Sequence, residues 1–180
     1  MSTPLVIGVT GGIAAFKTAQ LVSRLVQSGR EVTVVMTRAA ERFVGCDTMA
    51  ALSGRPVVRK LFDPDRFPMG AHIELARRGA RLCVAPATAD FLAKAAHGMA
   101  DDVLTTLYLA VEPPVLMAPA MNPAMWRHPA VQRNVSLLES QDGVLFVPPV
   151  AGWVACRDEG EGRMAEPEQI LERIDSVFDA

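Results

Sequence analysis

Five short apolar runs, separated by stretches of helical periodicity, constrain the fold of this chain more than any other feature. Each run is continuous rather than alternating, which is typical of strands that are buried on both faces of a parallel sheet. Residues 13–29 carry apolar side chains at helical spacing and end at Gly29, a residue that favours the left-handed turn after a helix. The runs are LVIGV at 5–9, VTVVM at 32–36, RLCVAP at 81–86, PVLMAP at 114–119 and VLFVP at 144–148.

This alternation predicts an α/β fold of the Rossmann-like type, with a doubly wound parallel sheet between two helical layers and right-handed crossovers. A length of 180 residues suits one domain, so we expect a single domain over 1–180. The stretch 148–167 is longer than most connections in a compact domain. It therefore indicates a functional flap over a ligand.

The composition excludes several classes of function. The formal net charge of −2 leaves no electrostatic footprint for nucleic acid or an anionic membrane. No apolar segment approaches the ~20 residues that span a bilayer, and the N-terminus lacks the basic start of a secretory signal. Cys46, Cys83 and Cys156 form no CxxC pair, which favours a cytoplasmic protein with reduced thiols. No His and carboxylate spacing indicates a metal site.

The predicted carboxyl ends of three strands carry residues suited to a phosphate. GVTGGIAAFK at 8–17 places Gly11 and Gly12 in the first strand-to-helix turn, but it matches neither GxGxxG nor a P-loop. A mononucleotide phosphate and a tight turn without a ligand both remain open. Thr37 and Thr88 follow the second and third strands. Ligands of open α/β sheets bind there, although each Thr could instead be a helix N-cap.

The octet PAMNPAMW at 119–126 follows the fourth predicted strand. Asn122 both donates and accepts hydrogen bonds, so it can hold a carboxylate or an amide. Met121, Met125 and Trp126 would shield that point from water. The alternative is a turn packed onto the core, with Trp126 as its anchor. For the adjacent acids Asp101 and Asp102, first-turn positions in a helix are favoured over catalysis.

Two further side chains are candidates for proton transfer. His72 stands at the start of a short predicted helix, where it could act as a base or be merely structural. Cys156 lies in a Gly-rich stretch within the predicted flap. Arg157 and Arg163 would favour its thiolate, whereas the acids of the same stretch would oppose that.

Together these motifs resemble the flavin-containing cysteine decarboxylases, and within them the phosphopantothenoylcysteine decarboxylases of coenzyme A biosynthesis. The resemblance covers nearly the whole chain and includes the specific PxMNxxMW pattern in PAMNPAMW. The segments that carry it are GVTGGIAA, HIEL, APATAD, GMADDVLTT, PAMNPAMW and ACRDEGEGRMAEP.

The resemblance implies a flavoprotein fold that binds FMN, usually at a subunit interface of a homo-oligomer, either a trimer or a dodecamer built from trimers. It implies a small-molecule substrate, and the reaction is decarboxylation of 4′-phospho-N-pantothenoylcysteine to 4′-phosphopantetheine through a transient thioaldehyde. The family leaves two alternatives open: a decarboxylase of peptides that end in cysteine, and a non-catalytic, flavin-binding regulatory homologue.

The resemblance also assigns roles to residues. His72 matches the active-site base, Cys156 the proton donor on the flap, and Asn122 the residue that holds the substrate carboxylate. Further substrate contacts are expected at Met121, Arg163 and Met164. The flavin contacts implied are Gly11, Gly12, Ile13, Thr37, Thr88, Ala89, Asp90, Phe91 and Ala120.

Two positions depart from the family pattern. Asp90 stands where the family usually has Asn, which affects one flavin or interface contact. Arg157 stands where Gly usually follows the catalytic Cys, and this change is expected to stiffen the flap or alter its closure. Neither departure removes a named catalytic group.

Overall fold

The computed structural model describes residues 4–154 and 157–179. Its centre is a parallel sheet of five strands in the order β2-β1-β3-β4-β5. This order reverses direction between β1 and β3, as in doubly wound folds. The predicted fold class is therefore confirmed, and all five apolar runs form strands. Their bounds are β1 Leu5–Val9, β2 Val32–Met36, β3 Arg81–Ala87, β4 Val115–Pro119 and β5 Val144–Phe146.

Helices cover both faces of this sheet and form the two outer layers of the predicted three-layer fold. Helices α1, α2 and α8 pack on one face through Leu21, Met49 and Ile170. Helices α3, α4, α5 and α7 cover the other face. The helices are α1 Ala15–Gln27, α2 Cys46–Ser53, α3 Ala71–Arg77, α4 Ala89–Ala96, α5 Val103–Ala110, α6 Pro123–Trp126, α7 Pro129–Glu139 and α8 Pro167–Phe178, with a 3-10 turn at Ala40–Arg42.

The inner strands explain why their sequences are apolar without alternation. Every residue of β1, β2 and β4 is buried, because helices cover both faces. In the parallel register, Ile7 lies between Val34 of β2 and Cys83 of β3. Burial raises the pKa of the Cys83 thiol to about 12, so this cysteine is an inert core residue.

The predicted flap is a hairpin rather than an irregular loop. Strands β6 (Val150–Val154) and β7 (Asp158–Arg163) form an antiparallel pair apart from the main sheet. The hairpin rests on the start of α6, because the amide of Met121 donates to the carbonyl of Gly162 at 2.9 Å. Among the helices in the described part of the chain, none is long and apolar enough to cross a membrane.

Candidate functional site

A cavity of about 1180 Å³ opens at the carboxyl ends of the central strands. It is larger than the roughly 300–1,000 Å³ of ordinary ligand pockets, so its volume suits a cofactor together with a substrate. The turns after β1, β2, β3 and β4 supply much of the wall. The hairpin closes another side through Trp153, Gly162 and Arg163.

The cavity brings together most of the site residues predicted from the sequence. The expected flavin contacts that line it are Gly11, Gly12, Ile13, Thr37, Thr88, Ala89, Asp90, Phe91 and Ala120. The expected substrate contacts that line it are Met121, Asn122, Arg163 and Met164. These two sets come from well-separated parts of the chain, and the strand ends gather them at one edge of the sheet.

The turn after β1 requires glycine at position 11 because a side chain there would collide with its neighbour. A Cβ on Gly11 would lie 2.4 Å from the Cβ of Ala39, whereas a Cβ on Gly12 would find only Thr88 at 3.6 Å. Thr10 connects this turn to β3, a role that the sequence analysis does not predict. Its hydroxyl donates to the carbonyl of Pro86 at 2.6 Å and accepts from the amide of Thr88 at 3.1 Å. The signal in the sequence is a threonine directly after a buried strand, where its hydroxyl needs a hydrogen-bond partner.

Both threonines accept a local backbone hydrogen bond and also lie on the cavity wall. The Thr88 hydroxyl accepts from the amide of Phe91 at the start of α4, and the Thr37 hydroxyl accepts from the amide of Ala40. Both residues also line the cavity. A capping hydroxyl retains hydrogen-bonding capacity, so capping and ligand contact are compatible here.

Asn122 is fixed by the helix that follows it. It is the N-cap of α6, and its Oδ1 accepts from the amide of Ala124 at 2.7 Å. Pro123 occupies the first helical position, which favours that geometry. Met121 and Met125 line the cavity as expected. Trp126 is not among the lining residues and packs against the core instead, so it anchors the segment, as the alternative interpretation predicted.

An acidic and basic cluster forms the wall at α4 and α5. Lys94 contacts the carboxylates of Asp90 at 3.2 Å and Asp101 at 3.0 Å. The hydrogen bond from Lys94 lowers the pKa of the Asp101 carboxyl. Asp102 is the N-cap of α5 and accepts from the amides of Leu104 and Thr105. The expectation that these acids serve the helix terminus is thus correct for Asp102, while Asp101 pairs with Lys94.

The root of the hairpin is held by a lysine of the first helix. Lys17 donates to the carbonyl of Met164 at 3.1 Å and to the carboxylate of Glu166 at 3.1 Å. Arg163 also pairs with Glu166. Burial tends to raise the pKa of Glu166, but the hydrogen bonds from Lys17 and Arg163 outweigh it and lower this pKa. Glu166 is therefore ionised at neutral pH and ties the hairpin to α1.

Of the two predicted proton-transfer residues, the structure describes only His72, which is not among the residues that line the cavity of this chain. His72 stands in the first turn of α3, and its Nδ1 is buried without a hydrogen-bond partner among the described residues. Cys156 lies outside the described residues. The neighbouring Arg157 has a φ of 63°, the left-handed region that favours the glycine usual in the family.

The geometry agrees with comparisons to known proteins. A family model described as Flavoprotein matches residues 1–179. The chain belongs to the flavoprotein family. This flavoprotein is 47% identical over 174 residues to the coenzyme A biosynthesis bifunctional protein CoaBC of Vibrio vulnificus. The match spans 97% of the chain but only 43% of that relative's length.

Two solved structures extend the comparison of this flavoprotein. The FMN-dependent cysteine decarboxylase SpaF superposes with a TM-score of 0.83 at 34% identity, covering 99% of this chain and 96% of SpaF. A PPC decarboxylase mutant in complex with pantothenoylaminoethenethiol superposes with a TM-score of 0.86 at 27% identity, over the full length of both chains. The fold and the family resemblance deduced from the motifs are confirmed.

Proposed function

We propose that this chain catalyses the FMN-dependent decarboxylation of 4′-phospho-N-pantothenoylcysteine to 4′-phosphopantetheine in coenzyme A biosynthesis. The observation that carries the proposal is the single cavity that contains all the expected flavin contacts together with Asn122 and the hairpin residues Arg163 and Met164. The similarity to CoaBC over 97% of the chain supports the same reaction.

The residues present fit a flavin mononucleotide. A Cβ on Gly12 would meet only Thr88, at 3.6 Å, so a ligand can approach the backbone of this turn, and the helix N-terminus that follows favours a phosphate. Ile13, Phe91 and Ala120 offer apolar contacts for a ring system, while the hydroxyls of Thr37 and Thr88 offer polar ones. When bound, FMN supplies the reversible hydride acceptor that the transient thioaldehyde pathway requires. Asp90 stands at an expected flavin contact, and its pairing with Lys94 compensates its charge.

The protein's own groups position the cysteinyl substrate. The amide of Asn122 orients its carboxylate without the tight charge pairing that would penalise loss of CO₂. Met121, Met164 and the hairpin exclude water from the reacting carbon. His72 is proposed as the base and Cys156 as the proton donor, with residues 148–167 as the flap of a single domain that spans 1–180.

A homo-oligomer of this chain, a trimer or a dodecamer of trimers in the cytoplasm, is part of the proposal. Large apolar side chains are exposed at the cavity: Ile13 at 55%, Phe16 at 59% and Trp153 at 64%. Such a patch favours association. A second copy would cover it and bring its His72 to the cavity.

The reaction is tested by offering the FMN-loaded protein phosphopantothenoylcysteine and, separately, a peptide that ends in cysteine. We expect release of CO₂ and formation of 4′-phosphopantetheine from the first, with little turnover of the peptide. Preferential turnover of the peptide would assign the chain to the peptidyl-cysteine decarboxylases. Stable flavin binding without either reaction would favour the regulatory homologue.

The shared site is tested by mixing two inactive variants, His72→Asn and Asn122→Asp. Because each active site would take these residues from different copies, co-refolded mixtures should contain some sites with neither change. We expect each variant alone to be inactive and the mixture to regain roughly a quarter of wild-type activity if dimeric sites form at random. No recovery in a mixture that forms mixed oligomers would place both residues in one subunit's site.

A further inference from the structure

The charges that line the cavity are unevenly balanced. Lys94 is neutralised by Asp90 and Asp101, and Lys17 and Arg163 share Glu166. The remaining lining cations are Arg38 and Arg42. Neither has an acidic partner within 4.0 Å among the described residues, whereas each of the other three lining cations has at least one.

Both arginines lie on the cavity wall beside one 3-10 turn. Arg38 precedes the turn at Ala40–Arg42 and Arg42 ends it, where its amide bonds to the carbonyl of Ala39. Both side chains are exposed, and both line the cavity. The arginines are therefore solvent-exposed residues of the cavity wall and not residues of the core.

The one acid within the turn is engaged elsewhere. Glu41 pairs with Arg59 at 3.4 Å, and Arg59 lines a separate cavity with Cys46. Glu41 is not among the residues that line the main cavity. It thus leaves the charge of the two arginines available for an anion.

A phosphate monoester is the anion that best fits this pair. Arginine forks bind phosphate oxygens in bidentate fashion. The glycine turn after β1, at the start of α1, is the place proposed above for the flavin phosphate. A substrate with its own phosphate requires a second site, and the two arginines line the cavity without a carboxylate partner among the described residues.

We propose that Arg38 and Arg42 form the subsite for the 4′-phosphate of the substrate and thereby select phosphopantothenoylcysteine over ligands without that phosphate. This inference rests on the proposed function for the identity of the substrate. The phosphate of the flavin is the other possible source of the same chemistry, and the experiment separates the two.

The test compares ligands with and without the phosphate in the FMN-loaded wild type and the double variant Arg38→Gln/Arg42→Gln. Turnover is measured with phosphopantothenoylcysteine and pantothenoylcysteine, and binding with 4′-phosphopantetheine and pantetheine. For the phosphorylated ligands we expect the double variant to lose about tenfold in kcat/KM, through KM, and about tenfold in affinity. The ligands without phosphate should change less than about twofold.

Three controls make the result specific. Arg173→Gln removes an exposed arginine of α8 that does not line the cavity, and it should behave as wild type. Arg38→Lys/Arg42→Lys keeps the charges and should retain most of the phosphate preference. The affinities for FMN and riboflavin are measured for every variant, and the double Gln variant should bind both as the wild type does.

Three outcomes would overturn the subsite. The double Gln variant could lose kcat/KM and affinity equally for ligands with and without the phosphate, or the wild type could bind 4′-phosphopantetheine and pantetheine equally well. The third outcome is that the double Gln variant binds FMN more weakly but riboflavin as the wild type does. The last would assign the pair to the flavin phosphate. Phosphate-dependent binding that the double variant loses, in a protein without turnover, would support the subsite while refuting the proposed reaction.

Discussion

Asn122→Asp is expected to abolish most turnover while it leaves the fold intact. Asn and Asp are equally good N-caps. An Asp at this position therefore keeps an acceptor for the amide of Ala124, which donates to Asn122 at 2.7 Å in the wild type. The new negative charge would face the substrate carboxylate, and like charges in such contact cost several kcal/mol. We expect kcat/KM to fall by roughly 100-fold or more.

The cap itself is the control for this prediction. Asn122→Ala removes the capping oxygen and should lower the free energy of unfolding by about 0.5–2 kcal/mol, whereas Asn122→Asp should unfold at nearly the wild-type temperature. Steady-state kinetics and thermal unfolding of both variants separate charge from capping. If Asn122→Asp turned over substrate normally, Asn122 would be a helix cap and no more.

Gly162→Ala is expected to dislodge the hairpin from the cavity. The Cβ would lie 2.5 Å from the carbonyl oxygen of Met121 and 3.3 Å from the backbone nitrogen of Pro123. These are backbone atoms, so they can move away only if the chain itself shifts. The φ of 145° at Gly162 also disfavours a residue with a side chain. Arg163 and Met164 would be displaced, so we expect kcat/KM to fall by roughly 10- to 100-fold. FMN affinity should stay near that of the wild type.

Gly29→Ala provides the matched control. Gly29 also has a positive φ, 88°, but a Cβ there meets nothing within 4 Å, and the residue precedes β2 at the amino edge of the sheet. This variant should lose about 1–2 kcal/mol of stability and keep its kinetics. Steady-state kinetics and FMN titration of both variants would show whether the loss of activity comes from displacement of the hairpin. Equal turnover by Gly162→Ala and the wild type would show that the hairpin's contact with Met121 is dispensable.

The sequence predicts the sheet and the meeting of the strand-end residues at one cavity for a physical reason. Strands buried on both faces must be continuously apolar, and a parallel sheet brings its carboxyl ends to one edge. Residues as far apart as Gly11, Thr88 and Ala120 can therefore be placed together from their positions after β1, β3 and β4 alone.

Other features depend on contacts that no local pattern encodes. Strand β7 reads DEGEGR, a poor strand sequence by composition, and it is held by docking against Met121. The bond from Lys17 to Glu166 joins residues 149 positions apart. The sequence leaves two positions open for Trp126, on the cavity or on the core, and only the packing of the short helix α6 shows that it lies against the core.

A flavin site shared with the cysteinyl substrate can be tested by titrating the purified protein with FMN and recording its absorption spectrum. We expect saturable binding of one FMN per chain, with flavin bands that bleach and recover when phosphopantothenoylcysteine is added. A colourless protein that takes up no added FMN would contradict it.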